Sequence, residues 1–148
     1  MELKLKPLIV LFKAQQSLVY NVKVSLKDSV LTVNEFTVME ALSTKKELVT
    51  QELAGKILIP NSSLTYVLDI LEEKGYLSRR KDENDRRRQI VSLTKEGQRV
   101  FDEIYAQHFE YMENIFSVLS DEEQETLTTL LKRVGKHAES QLNCEDCE

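Results

Sequence analysis

The stretch Arg79-Arg80-Lys81-Asp82-Glu83-Asn84-Asp85-Arg86-Arg87-Arg88-Gln89-Ile90-Val91-Ser92-Leu93-Thr94 decides the fold. From Arg79 to Arg88 it holds six Arg/Lys and three Asp/Glu, a local net of 6 − 3 = +3 on a chain of net −5. Two runs with strand character flank it, Tyr76-Leu77-Ser78 and Ile90-Val91-Ser92-Leu93. The pattern predicts a β-hairpin with a basic tip, a shape suited to touching phosphates and entering a groove.

The bulk composition sets the frame. At 148 residues, with 41% hydrophobic and 30% charged content, the chain is long enough for one hydrophobic core and short for two domains. Four Gly and two Pro leave few breaks, so long helices are expected. No apolar run approaches the roughly 20 residues of a membrane span, and no secretory signal is read, so the expected address is cytoplasmic with no membrane partner. A pI near 5.2 argues against nucleic acid only if charge is evenly spread. It is not: Asp121 to Glu148 carries eight acidic and three basic residues, 3 − 8 = −5, so the tail holds the whole deficit and the +3 hairpin stays basic.

Working outward from the hairpin, apolar spacing predicts a mainly α fold of six helices and one hairpin. Pro7 opens an amphipathic helix over 7–27, with Leu8, Leu11, Phe12, Leu18, Val22 and Leu26 at helical spacing. Thr32-x-x-Glu35 has the form of a capping box and starts a helix through about Ser43. Thr50 is expected to cap a short helix from Gln51 to Ile57. Pro60 and Asn61 begin another, which runs to Lys74 and stops at Gly75. Beyond the hairpin, Thr94 opens a helix bearing Phe101, Ile104, Tyr105, His108, Met112, Ile115 and Phe116. Ser120-x-x-Glu123 caps the last helix, and Asn143 to Glu148 reads as a frayed tail.

The two short helices before the hairpin form a helix-turn-helix. In the second, Leu64, Val67, Leu68 and Leu71 make the buried stripe, opposite Ser62, Tyr66, Asp69 and Glu73. Small hydroxyl and amide side chains near its N-terminus approach bases and phosphates closely: Ser63, Thr65 and Tyr66 for bases, Asn61 and Ser62 for phosphates. Asp69 and Glu73 would repel the DNA backbone, so only the N-terminal half is expected in the groove.

From Leu71-Glu72-Glu73-Lys74-Gly75-Tyr76-Leu77 through Arg79, Asp82-x-x-Asp85-Arg86-Arg87 and Leu93-Thr94-x-x-Gly97, the chain resembles the MarR family of winged helix-turn-helix regulators. The resemblance extends over nearly the whole chain. It implies a winged helix-turn-helix in a single domain, 1–148, with a DNA-binding lobe at about 32–94. Dimerisation helices at about 7–27 and 95–142 would interdigitate in a homodimer on a pseudo-palindromic double-stranded operator. It also implies that Asp85 holds the wing tip and that Arg87 enters the minor groove, where a narrow A·T groove concentrates negative potential. Arg79, Arg80, Lys81, Arg86 and Arg88 are then expected on phosphates. Where many members carry an arginine in the recognition helix, this chain has Tyr66.

Regulation is written more faintly. Members of the family respond to a small ligand or to cysteine oxidation. Leu64-Thr65-Tyr66-Val67-Leu68-Asp69 and the placement of His108 resemble the quinone- and aromatic-responsive branch. Tyr20, Phe36, Tyr105 and Phe109 are the candidate lining of an apolar effector pocket, and core packing explains them equally well. No cofactor or metal is expected. The alternative is zinc or redox sensing through Cys144-x-x-Cys147, joined by His108 or His137. Against it, neighbouring carboxylates blunt thiol reactivity. Two His, no glycine-rich phosphate loop and no nucleophile–base arrangement speak against an enzyme. A protein-interaction module that uses the same fold without DNA is the remaining reading.

Overall fold

A computed structural model describes residues 5–57, 59 and 61–145. In chain order the elements are α1 (Lys6–Leu26), α2 (Val33–Lys45), β1 (Glu47–Val49), α3 (Thr50–Lys56), α4 (Asn61–Glu73), β2 (Leu77–Lys81), β3 (Gln89–Leu93), α5 (Lys95–Phe116) and α6 (Asp121–Glu145). The chain divides into two compact units between Glu110 and Tyr111, within α5. No helix among the described residues is long and apolar enough to cross a membrane.

The expected six helices and hairpin are present, and a third strand joins them. β3 lies between β1 and β2, antiparallel to both, with Leu48 opposite Val91 and Arg79 also opposite Val91. β2 runs to Lys81, so Arg79, Arg80 and Lys81 stand on a strand below the tip.

The core of the first unit gathers Phe36, Val38, Met39 and Leu42 from α2, Leu53 from α3 and Leu64, Leu68 and Leu71 from α4. Leu77 and Val91 of the sheet and Phe101 of α5 complete it. At the entry to α2 the Thr32 hydroxyl accepts from the Glu35 N–H at 3.2 Å, and the Glu35 carboxylate accepts from the Thr32 N–H at 2.9 Å. Glu35 is buried and paired, since the Lys74 ammonium at the end of α4 donates to it at 3.0 Å. α4 is thereby tied at its far end to the start of α2.

Two turns set the wing's base. Gly75 takes φ +79, a left-handed conformation that glycine adopts without a Cβ penalty. Around it the Tyr76 N–H donates to the Leu71 carbonyl and the Gly75 N–H to the Glu72 carbonyl, the paired bonds of a Schellman stop. The Thr94 hydroxyl then donates to the Gly75 carbonyl at 2.7 Å and accepts from the Gly97 N–H at 2.9 Å. A Cβ at Gly97 would run into the Tyr76 carbonyl, which is why that step needs glycine.

Thr50 is not the cap of α3. Val49, in extended conformation at the end of β1, occupies that position without a side-chain cap. The Thr50 hydroxyl instead donates to the Gln89 carbonyl at 3.3 Å. In the second unit, Ser120 and Glu123 exchange the expected reciprocal bonds at 3.1 and 3.2 Å. Its helix continues to Glu145, through residues expected to fray. Pro60 and Cys147 lie outside the described residues, as do the side chains of Asn61 and Cys144.

Candidate nucleic-acid interface

α4 presents two chemically distinct faces. Leu64, Val67, Leu68 and Leu71 are buried as their spacing predicts. Ser62, Thr65, Tyr66, Asp69 and Glu73 are exposed, with Tyr66 67% accessible, and Ser63 is half-buried. The helix starts at Asn61, so the exposed hydroxyl groups sit in its first turns, where unsatisfied N–H groups and the helix dipole favour an anion.

The wing tip is organised by a carboxylate. Asp85 accepts from the Arg87 backbone N–H at 3.1 Å and from its guanidinium Nε at 3.2 Å. The Arg87 side chain is nonetheless 91% accessible. Hydrogen bonding from Arg87 holds the Asp85 carboxyl below the usual carboxylate range. Asp82 accepts from the Asn84 N–H at 3.0 Å, and the Asp82 N–H donates to the Arg88 carbonyl, also at 3.0 Å, which closes the loop.

Strand alternation sorts the other cations. Leu77 and Arg79 share one face of β2, so Arg79 points where Leu77 packs, toward α4. Its guanidinium donates to Asp69 at 2.7 Å and to Glu72 at 2.8 Å, and its side chain is only 19% accessible. Arg79, expected on phosphate, is engaged here within the protein. Arg80, on the other face, reaches Glu47 of β1 at 3.1 Å. Arg88 lies 3.7 Å from Glu52 of α3. Among the described residues Lys81 and Arg86 make no ion pair.

The four aromatic residues expected around an effector are not all brought together. Phe36 is buried in the core and stacks near Phe101, Tyr105 and His108, at centroid distances of 5.4, 6.5 and 4.8 Å. Phe109 continues the row from Tyr105 at 6.1 Å. Tyr20 stands apart, on a shallow groove along α1 with Phe12, Gln15, Gln16, Val19 and Lys23. Sequence reading missed Ser25, whose hydroxyl lies 2.8 Å from His108 Nδ1. A hydroxyl on an otherwise apolar face of α1 was its only signal.

Comparison with known proteins agrees with this geometry. The family model described as MarR family matches residues 31–88, the span from α2 through the wing. The HTH-type transcriptional regulator MhqR of Bacillus subtilis (strain 168) is 36% identical over 137 residues, 93% of this chain and 94% of MhqR. The chain belongs to the MarR family. Two solved MarR-fold structures extend the likeness to the backbone. NadR in complex with 4-hydroxyphenylacetate has a TM-score of 0.77 at 31% identity, over 86% of this chain and 91% of NadR. A mutant MarR from E. coli complexed with operator DNA has a TM-score of 0.75 at 25% identity, over 90% of this chain and 99% of MarR. As a MarR-family protein, the chain is a DNA-binding transcriptional regulator with a winged helix-turn-helix.

Proposed function

We propose that this chain is a dimeric repressor that holds a pseudo-palindromic operator until a small aromatic ligand releases it. The N-terminal half of α4 enters the major groove, where Ser63, Thr65 and Tyr66 read bases while Asn61 and Ser62 meet phosphates. Arg87 enters the minor groove from the wing tip, and Arg80, Lys81, Arg86 and Arg88 lie along the backbone. The observation that carries this reading is the accessible Arg87 guanidinium, braced by Asp85 at a tip whose surroundings are cationic. Desolvated arginine in a narrow groove gives both attraction and A·T preference.

The DNA-binding lobe is assigned to about 32–94 and the dimerising helices to about 7–27 and 95–142. Leu8, Leu11 and Phe12 on α1, and Leu130, Leu131 and Val134 on α6, are exposed in the single chain, which supports their burial against a second copy. An aromatic effector is supported by the row from Phe36 through Tyr105 to Phe109 and by the 4-hydroxyphenylacetate bound by NadR. Tyr20, on the groove along α1, is the fourth candidate lining residue.

Selection of duplexes retained by the purified protein should return an inverted repeat. Arg87→Ala should then weaken specific binding by about 1–3 kcal/mol. Replacing Arg86, Arg87 and Arg88 together by alanine should abolish the preference. A folded triple variant that binds the selected duplex as tightly as wild type removes the wing from the interface and favours a protein-interaction module.

A further inference from the structure

We infer that Arg79 is a positioning residue for DNA recognition, reaching from the wing strand to mask the two carboxylates that follow the proposed base-reading residues. The inference rests on the DNA-binding reading above. Asp69 lies one helical turn beyond Tyr66 and Thr65, and Glu72 one turn beyond Asp69, on the exposed side of α4. Both would face an incoming phosphate backbone as bare negative charge. Arg79 engages both from β2, through Nη2 to Asp69 at 2.7 Å and through Nε to Glu72 at 2.8 Å, with a second bond to Glu72 at 3.2 Å.

The fork of a guanidinium suits this task, because its donors lie in one plane and reach two carboxylates at once. Glu72 is held below the usual carboxylate range chiefly by its hydrogen bond from Arg79. No other cation pairs with Asp69 or Glu72 among the described residues. Glu73, the next exposed acid on α4, has no ion pair there.

The test uses the full chain, the selected operator duplex and an unrelated duplex, with binding followed by fluorescence anisotropy across a salt series. Arg79→Met should bind the operator at least about ten-fold more weakly, since like charge at an interface is costly. The triple variant Asp69→Asn, Glu72→Gln, Arg79→Met removes the carboxylates together with their mask. It should recover to within about three-fold of wild type, with an unchanged dependence of log affinity on log salt.

A triple variant that stays weak and loses about one unit of salt slope makes Arg79 a phosphate contact and overturns the inference. One that stays weak with an unchanged slope makes the link structural only, and overturns it as well. If Arg79→Met does not fold, the triple variant alone decides, its fold checked by circular dichroism. In free wild type, Glu72 should titrate by NMR below the ordinary carboxylate range and return toward it in Arg79→Met; an ordinary value in wild type overturns the link itself. Wild type that fails to bind any duplex defeats the DNA-binding reading, a separate outcome from failure of the recovery.

Discussion

The His108 imidazole has an assignable proton. The Ser25 hydroxyl donates its one hydrogen to the Val22 carbonyl at 2.8 Å, so the Ser25 oxygen accepts from His108 Nδ1–H, also at 2.8 Å. A second proton would place charge against Phe36 and Tyr105, and burial lowers the imidazole pKa from its ordinary 6.5. A folded pKa below the unfolded one means that the unfolded chain binds more protons in that window. The stability lost through His108 therefore grows as pH falls below about 6.5. His108→Gln keeps a donor for Ser25 and cannot titrate. Urea unfolding at several pH values should show wild type losing its advantage over His108→Gln as pH drops from about 7 to 5. A difference that is constant with pH rejects the lowered pKa. Residue-level legibility was uneven. Asp85 bracing Arg87 was readable because both lie within two residues, whereas Arg79 binding Asp69 and Glu72 depends on which way a strand faces. Extending the alternation Leu77-x-Arg79 by one residue would have found it.

Elements ruled by local bonds were the most legible. Both capping boxes formed, because hydroxyl and carboxylate three residues apart satisfy orphan N–H groups without outside help. The glycine stop after α4 formed for the same reason. β1 was missed since Glu47-Leu48-Val49 is only three residues, and its partner β3 lies more than forty positions away. With that strand unseen, Thr50 looked like a cap when the extended Val49 already held the place. The junction of α5 with the wing offers a test at this scale. Alanine is favoured over glycine inside a helix by about 0.8–1 kcal/mol, so Gly97→Ala would stabilise an isolated α5. Here the added methyl meets backbone of Tyr76, which also accepts the Thr94 N–H at 3.1 Å and has little room to retreat. Overpacking costs about 1–3 kcal/mol, so the clash should win. Gly97→Ala should lower the urea midpoint, and an unchanged or higher midpoint means that α5 stands off Tyr76 in solution.

On the scale of the whole molecule, charge and apolar surface point to separate tasks. The chain is net −5, yet the wing stretch from Arg79 to Arg88 is net +3, so overall repulsion from DNA and local attraction to it coexist. Away from the wing, exposed apolar residues recur along α1 and along α6 at Leu127, Leu130, Leu131 and Val134. A helix repeating such residues at three- and four-residue spacing asks for a partner, which in the proposed dimer is a second copy related by the symmetry of an inverted repeat. The energetic consequence is large. Once one lobe of a dimer is bound, the second meets its half-site at high effective concentration, which raises affinity by about 10²–10⁴ without any new contact. Charges placed in the α6 stripe, as in Leu130→Glu with Val134→Glu, should therefore yield a monomer by light scattering at micromolar concentration. Its affinity for a single half-site should match that of wild type, because α4 and the wing are untouched. Its affinity for the full inverted repeat should fall by at least about 10²-fold. A variant that remains dimeric would assign the interface to other surfaces. A monomer that keeps full operator affinity would mean that one lobe suffices and that the two-fold operator reading is wrong.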